Sequence, residues 1–251
     1  MKTIKLFIVT TLTLTSFTLS VYAASIGKSI CGRQDDRRPS FEPKVGRAFE
    51  SLVDGNASCT ISMIGESCAI TAGHCKNKLK YVEFNVPPSS NHRPKRAAKE
   101  DIYQVDKKTI VAKHNRRYDF AVFKLKPNKI TGELAGQRQG YYQLFFKKPK
   151  KRERVVVTGY GTDLHRRHNM TQQSDGGTIT DLNFLSSLIY HNADTMGGNS
   201  GSPIILKRND QIVGVHTWGQ CHSKGGRNVG TLVNNRKFKK AIKRCLRSEN
   251  K

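Results

Sequence analysis

Short runs of aliphatic, aromatic and β-branched residues recur along most of the chain, separated by polar stretches that are rich in turn-forming residues. Apolar positions at helical spacing are scarce in these runs, so the pattern predicts β-strands. The clearest runs are Cys59–Ile64, Cys68–Thr71, Tyr81–Phe84, Ile102–Val105, Phe120–Leu125, Arg154–Val157, Ile204–Leu206 and Gln211–Val215. Many short strands with regular turns are typical of a sandwich or a barrel, and the sequence therefore predicts an all-β protein.

A single helix is predicted near the C-terminal end, over Arg236–Arg247. Its apolar stripe recurs at offsets of three, four and seven residues and consists of Phe238, Ala241, Ile242 and Cys245. Lysines and arginines occupy most of the remaining positions. We expect the apolar stripe to pack against the body of the protein and the basic face to be exposed.

Three segments lack the strand pattern. Pro87–Asp101 and His165–Gly177 are polar and are predicted to form exposed loops. Lys126–Gln139 follows the fifth predicted strand and could join two halves of the protein.

The first residues have the layout of a secretory signal. Met1–Lys5 is positively charged, Leu6–Ser20 is apolar, and Val21–Ala23 supplies small residues at a cleavage site. This order predicts a signal peptide over residues 1–23 and a mature chain from Ala24. The apolar run is short and interrupted by Thr and Ser, which disfavours a retained anchor. We therefore expect a secreted protein, extracellular or, in a source with an outer membrane, periplasmic.

Composition narrows the picture further. The 251 residues suffice for one large domain or for two small domains that share a cleft. All six cysteines follow the predicted cleavage site, and an even number there favours disulfides. No two of them have the spacing of a zinc knuckle, so no structural metal is expected.

The chain is strongly basic, with 44 Lys and Arg residues against 19 Asp and Glu residues and a net charge of +25. Such a surface favours association with polyanions or acidic substrates, although an ordinary solvated surface would also account for much of the excess. Retention on an anionic polymer that disappears at modest salt would distinguish the two.

Three motifs carry residues suited to nucleophilic catalysis. They are Thr71–Cys75 (TAGHC) at the end of a predicted strand, Tyr118–Val122 (YDFAV) at the start of another, and Gly197–Pro203 (GGNSGSP) before a third. Each alone could be structural, since a lone histidine or a glycine-rich turn is ordinary. Together they offer a nucleophile, a base and a carboxylate.

The chemistry requires all three groups. The hydroxyl of Ser200 is a poor nucleophile without a base, the imidazole of His74 can take its proton, and the carboxylate of Asp119 can orient that imidazole. The glycines beside the serine allow backbone N–H groups to point toward one place, where they would stabilise an oxyanion. Gly198 and Ser200 are the predicted donors.

These motifs resemble the active-site motifs of the chymotrypsin-like serine proteases. Val157–Gly161 (VTGYG) and Val215–Gly219 (VHTWG) match further landmarks of that family, so the resemblance extends over nearly the whole of residues 24–251. It implies two antiparallel six-stranded β-barrels, at about residues 40–130 and 140–235, with the catalytic residues between them and a helix after the second. It implies no cofactor and no metal, peptide or protein substrates, and a monomer.

The resemblance also implies a disulfide between Cys59 and Cys75, beside the histidine. The pairing of the other four cysteines stays open in the sequence. The combinations Cys68 with Cys245 and Cys31 with Cys221 are favoured.

Within this group the chain is more similar to the bacterial glutamyl endopeptidases, in Gln34–Arg37, in the sequence GNSGSP and in His216-Thr217. Trypsin-type zymogens instead carry an aspartate before the nucleophile, which captures a newly freed N-terminus. Asn199 stands at that position here, and no Ile-Val-Gly-Gly sequence is present. We therefore expect no activation of the trypsin type.

The resemblance implies a substrate pocket lined by Asp194, Thr195, His216, Thr217, Trp218 and Gly219. His216 and the hydroxyl of Thr195 would suit a glutamate or aspartate at P1, because a buried carboxylate needs compensating partners. Asp194 falls where trypsin has its pocket aspartate, which would favour lysine or arginine. A third hypothesis for the function is a cationic binding protein that has a protease fold but no catalytic activity. The presence of all the catalytic residues disfavours this hypothesis.

Overall fold

Two closed β-barrels, each of six antiparallel strands, form the computed structural model, which describes residues 29–51 and 57–249. The signal predicted over residues 1–23 lies outside the described residues. The strands are β1 (Arg38–Pro39), β2 (Val45–Phe49), β3 (Ala57–Met63), β4 (Cys68–Thr71), β5 (Tyr81–Glu83), β6 (Ile102–Asn115), β7 (Tyr118–Leu125), β8 (Arg154–Tyr160), β9 (Gln172–Asn183), β10 (Leu188–His191), β11 (Pro203–Leu206), β12 (Gln211–Trp218), β13 (Cys221–His222), β14 (Gly225–Gly226) and β15 (Asn228–Leu232). The α-helices are α1 (Ala135–Gln139) and α2 (Arg236–Arg247). The predicted all-β, two-barrel fold is confirmed.

The first barrel has the strand order β2-β3-β4-β7-β6-β5 and closes where β2 pairs with β5. Alternate residues of these strands point inward, and the interior includes Ile61, Met63, Phe84, Tyr103 and Phe123. The second barrel has the order β9-β10-β15-β12-β11-β8 and closes where β8 pairs with β9. The short strand β1 lies on the outer edge of β9.

Helix α2 packs across the junction of the two barrels. The ring of Phe238 stacks on that of Phe120 at 4.4 Å between centroids, and Ile242 is fully buried. The side chain of Asn235 caps the helix by accepting from the N–H groups of Lys237 and Phe238. The predicted helix and its apolar face are confirmed. None of the helices described is long and apolar enough to cross a membrane.

One predicted loop is wrong in its second half. His165–Gly177 was expected to be a loop, but Gln172–Asn183 forms strand β9. The pattern of hydrophobic positions does not reveal this strand, because the first buried side chains of β9 are polar and form hydrogen bonds. The buried side chain of Gln172, for example, donates to the backbone carbonyl of Glu42 and to the hydroxyl of Tyr160.

Strand β6 is also longer than the predicted Ile102–Val105. It extends through Asn115, with a shift in its pairing between Asp106 and Val111. Many side chains in its second half are charged or exposed. The alternation of apolar and polar residues that would predict a strand is therefore missing there.

The two basic loops lie side by side. Within Pro87–Asp101, the N–H of Ser89 donates to the carbonyl of Arg167 at 3.0 Å, and the carbonyl of His92 accepts from the side chain of Asn169 at 2.7 Å. Their exposed cations are Arg93, Lys95, Lys99, Arg166 and Arg167. The loops therefore form one basic surface on the first barrel's side of the molecule.

Three disulfides connect distant parts of the chain, and they are the favoured pairs. Cys59–Cys75 joins β3 to the segment that carries His74, and Cys68–Cys245 joins β4 to α2. Cys31–Cys221 joins the segment before β1 to β13.

Candidate active site

His74 and Asp119 meet at the junction of the barrels. His74 lies in a short 3₁₀ helix, Gly73–Lys78, that follows β4, and Asp119 lies in β7. Nδ1 of His74 lies 2.6 Å from Oδ2 of Asp119, and the backbone N–H of His74 donates to Oδ1 at 2.9 Å. The carboxylate is almost fully buried, whereas the imidazole is 30% exposed. Because Nδ1 faces the carboxylate, Nε2 is the ring nitrogen left for a substrate-side proton.

The backbone of Asp119 is itself anchored to the second barrel. Its N–H donates to Oγ1 of Thr231 in β15 at 2.9 Å. This contact crosses between the barrels and fixes the carboxylate relative to both. Sequence reasoning did not identify Thr231, because no local pattern links it to Asp119.

Ser200 lies in the loop between β10 and β11 and faces the segment of His74. Its carbonyl accepts from the N–H of Thr60 in β3 at 2.8 Å, and Sγ of Cys75 lies 3.8 Å from the same carbonyl. Cys75 is next to His74 in the chain and is tied to Cys59 by the disulfide. The structure thus brings the loop of Ser200 next to the histidine. The serine is partly exposed.

The loop before Ser200 leaves two backbone donors unused. Neither the N–H of Gly198 nor that of Ser200 makes a hydrogen bond within residues 29–51 and 57–249. Gly198 has a φ of 102°, and a side chain there would overlap with the carbonyl of Tyr160. Only glycine fits this backbone. The two N–H groups without partners flank that of Asn199, which donates to the carbonyl of Met196. Free N–H groups in one short loop are what an oxyanion site requires.

His216 is buried in β12 and pairs with a second buried histidine. Its Nδ1 lies 3.2 Å from Nε2 of His191, which is completely buried in β10. Burial lowers the pKa of His191 to about 4. Burial, the neighbouring His191 and His74 together lower the pKa of His216 well below its usual range. Both imidazoles are therefore neutral at neutral pH. Sequence reasoning missed His191, and its 25-residue separation from His216 offers no signal.

Thr195, one of the predicted pocket residues, has a hydroxyl without a partner. Thr195 is fully buried, its N–H donates to the carbonyl of Ser29 at 3.2 Å, and its Oγ1 has no hydrogen-bond partner among the described residues. Ser29 also packs against Gly219, where a side chain would overlap with the serine hydroxyl. The segment around Ser29 therefore packs against two of the predicted pocket residues, a contact that the sequence did not indicate.

The carboxylate of Asp194 is engaged by the same segment. Its two oxygens accept from the backbone N–H groups of Cys31 at 2.7 Å and Asp36 at 3.0 Å. Burial raises its pKa, with the charges of nearby Asp35 and Asp36 acting in the same direction. The two remaining residues of the predicted pocket differ in exposure. Thr217 is buried and donates to a backbone carbonyl in β15, whereas the ring of Trp218 is half exposed, 6.3 Å from that of His74.

The fold is similar to that of several solved proteases. A Glu endopeptidase in complex with MPD has a TM-score of 0.67 and 21% identity, and the alignment covers 86% of this chain and 99% of that one. Neuropsin, a serine protease of mouse brain, has a TM-score of 0.63 and 16% identity over 84% of this chain and 99% of its own. The protease Anisep from Arthrobacter nicotinovorans has a TM-score of 0.59 and 20% identity over 78% and 92% of the two chains.

Sequence comparison adds a relative and a family. Secreted RxLR effector protein 73 of Plasmopara viticola is 28% identical over 234 residues, which are 84% of this chain and 56% of that protein. The chain thus matches little more than half the length of this relative. The model of the Trypsin family matches residues 30–242. With a family match over most of its length and the two-barrel fold described above, the chain belongs to the trypsin family of serine proteases.

Proposed function

We propose that the protein is a secreted serine endopeptidase that uses His74, Asp119 and Ser200 and prefers glutamate, or aspartate, at P1. The observation that carries the catalytic part is the pair of free N–H groups in the loop of Ser200, together with the contact between His74 and the buried carboxylate of Asp119. Both donors lie in a partly exposed loop, where a substrate oxygen can reach them.

In the proposed mechanism, Oγ of Ser200 attacks the scissile carbonyl while its proton passes to Nε2 of His74. The buried carboxylate of Asp119 stabilises the resulting imidazolium. The N–H groups of Gly198 and Ser200 bind the oxyanion of the tetrahedral intermediate, an interaction worth about 10²–10³ in rate for a single donor. His74 then protonates the leaving amine. Water next attacks the acyl carbonyl while giving a proton to Nε2 of His74, and that proton passes to Oγ of Ser200 as the ester bond breaks and the acid product leaves.

Two features of the pocket support an acidic P1 residue. Nε2 of His191 and Nδ1 of His216 share one hydrogen bond, and where His191 donates it, the single hydrogen of the neutral His216 lies on its own Nε2. That nitrogen makes no hydrogen bond within the described parts of the chain, and neither does Oγ1 of Thr195. The two groups would donate to a substrate carboxylate, which needs such partners in a buried site.

Asp194 is poorly suited to recognise lysine or arginine. Both its oxygens are already held by backbone N–H groups of Cys31 and Asp36. The likeness to a Glu endopeptidase agrees with the acidic preference, and the named relative is a secreted protein. Secretion itself is tested by N-terminal sequencing of the protein from culture medium, where we expect a start near Ala24.

The decisive experiment is digestion of a mixed peptide library by the secreted protein, beside its Ser200→Ala variant. We expect cuts after glutamate and, more slowly, aspartate, with none from the variant. Cuts after lysine or arginine would reject the assigned P1 preference but leave the mechanism. Absence of cleavage by folded, disulfide-bonded protein would reject the catalytic proposal altogether.

A further inference from the structure

The segment Ser29–Arg37, called here the N-terminal strap, is fastened to the walls of the pocket. The disulfide of Cys31 ties it to β13, and the carbonyl of Ser29 accepts from the buried amide of Asn228 at 2.9 Å. The contacts of Asp194 and Thr195 described above add to these. The strap is therefore anchored along its length to residues that lie more than 150 positions further along the chain.

Its last residue, Arg37, is a buried cation. The side chain is only 2% exposed and forms a two-pronged ion pair with Asp35, through Nε at 2.9 Å and Nη2 at 2.7 Å. This pairing outweighs the effect of partial burial and lowers the pKa of Asp35. Nη2 also donates to the carbonyl of Thr162 at 3.0 Å.

Through Thr162 the arginine is linked to the oxyanion loop, which we define as Met196–Ser202. The N–H of Thr162 donates to the carbonyl of Gly197 at 2.8 Å. Gly197 precedes Gly198, one of the two proposed oxyanion donors. The same residue thus receives a hydrogen bond from Arg37 on one side and gives one to the oxyanion loop on the other.

A second link runs to Asn199. A side chain on Gly161 would overlap with Oδ1 of Asn199 and would lie 2.5 Å from Nη1 of Arg37, so the guanidinium and the amide flank the same space. Oδ1 already accepts from the N–H of Met196 at 3.0 Å, which closes the loop on itself. Nη1 is buried and has no hydrogen-bond partner among the described residues. A buried, unpaired guanidinium N–H is costly unless a nearby acceptor shares it.

We propose that Arg37 is a positioning residue for the oxyanion loop, acting through Thr162 and Asn199. The proposal rests on the proposed function, because it assigns a role in the same reaction. In trypsin-type enzymes a newly freed N-terminus binds the residue before the nucleophile. In this chain Arg37 of the N-terminal strap takes that place and helps to hold Asn199 in position. Arg37 touches no reacting atom and changes rate only by fixing the N–H groups of Gly198 and Ser200.

The test compares Arg37→Ala and Arg37→Lys with the wild-type protein and with Arg38→Ala. Arg38 is the exposed neighbour, so the control removes the same charge without touching the loop. We expect kcat per titrated active site to fall about 10-fold to 100-fold in Arg37→Ala, a part of the effect of one oxyanion donor. KM for a short substrate should change less than threefold. Arg37→Lys should recover part of the loss, since one ammonium can reach the carbonyl of Thr162 but cannot replace the whole fork.

A double-mutant cycle separates positioning from general stability. Because the arginine acts through the amide, Asn199→Ala and Arg37→Ala should together cost much less in kcat than the product of their separate effects. A purely structural role would lower the melting temperature of Arg37→Ala while leaving kcat per active site within twofold of Arg38→Ala. That result would overturn the proposal.

Hydrogen exchange tests the same inference without activity. The N–H groups of Asn199, Gly201 and Ser202 are hydrogen-bonded in the structure. In Arg37→Ala they should exchange faster, by 10-fold or more, than in Arg38→Ala, measured with Ser200→Ala as the background. Equal exchange would overturn the proposal. An inactive wild-type protein with the expected exchange difference would instead count against the proposed function alone.

Discussion

The buried histidine pair makes a quantitative prediction about stability and pH. Burial lowers the pKa of His191 from 6.5 to about 4, so the folded protein resists a proton that the unfolded chain accepts. The two values differ by about 2.5, and one pKa unit corresponds to about 1.4 kcal/mol, which makes the full cost about 3 kcal/mol. Between pH 4 and 6.5 the unfolded state binds more protons. Stability from this group is therefore complete above pH 6.5 and is lost as the pH falls toward 4.

The variant His191→Gln should remove this dependence, because a glutamine amide can still donate to His216 but does not titrate. In urea unfolding with disulfides intact, the wild-type protein should lose about 2 kcal/mol more than the variant between pH 8 and pH 5. Titration of groups that do not contact His191 cancels in this difference. The exposed His92 provides the control, and His92→Gln should behave as wild type. Equal losses in wild type and His191→Gln would refute the assignment of a neutral buried pair.

Other parts of the structure give four further predictions. Gly198→Ala should lower kcat about 100-fold with an unchanged circular dichroism spectrum, because the new methyl group would displace the oxyanion N–H; retention of full kcat would contradict the assigned donor. Glu83→Gln should lower the free energy of unfolding by about 3–5 kcal/mol, since Glu83 and its partner Arg47 are completely buried, whereas Glu50→Gln, in an exposed pair, should cost less than about 1 kcal/mol. Equal costs in urea titrations would show that burial does not matter there. Asp194→Asn should reduce the free energy of unfolding by about 1–3 kcal/mol, because its carboxylate binds the backbone of the strap. The ratio of cleavage after glutamate to cleavage after lysine should stay within threefold of wild type, and a larger change in this ratio would place the carboxylate in P1 recognition. Finally, the protein should bind a sulfated-polymer column at low ionic strength and elute at modest salt, and replacing Arg166 and Arg167 by alanine should lower the eluting salt concentration more than replacing two exposed lysines of α2.

Much of the architecture follows from local sequence. The β-branched runs that became β4, β7 and β12 are buried on both faces, so they are visible in the sequence as short, nearly continuous apolar runs. Helix α2 begins and ends where its 3.6-residue stripe does. The motifs around His74, Asp119 and Ser200 were visible because each needs particular residue types within a few positions. The resemblance that these motifs carry also supplied the Cys59–Cys75 pair, whereas the other two pairs were only favoured among open alternatives.

Strand β9 shows where local pattern fails. The side chains of Gln172 and Gln173 are buried, and their hydrogen bonds to groups outside the strand offset the free-energy cost of removing them from water. A sequence reading sees polar residues and predicts a loop. The strand exists because closure of the second barrel supplies partners on both sides of it.

The finer chemistry of the site was decided by tertiary structure alone. His191 meets His216 through the pairing of β10 and β12 with β15, and Thr231 reaches Asp119 only because the two barrels abut. Arg37 and Asp194 lie 157 positions apart, and no local rule links the strap to the pocket wall. Sequence therefore determined most of the strands, the C-terminal helix and the kinds of reactive group, but not strand β9 or the second half of β6. Barrel closure and packing decided which of these groups became neighbours, because contacts across such separations depend on the register of many strands at once.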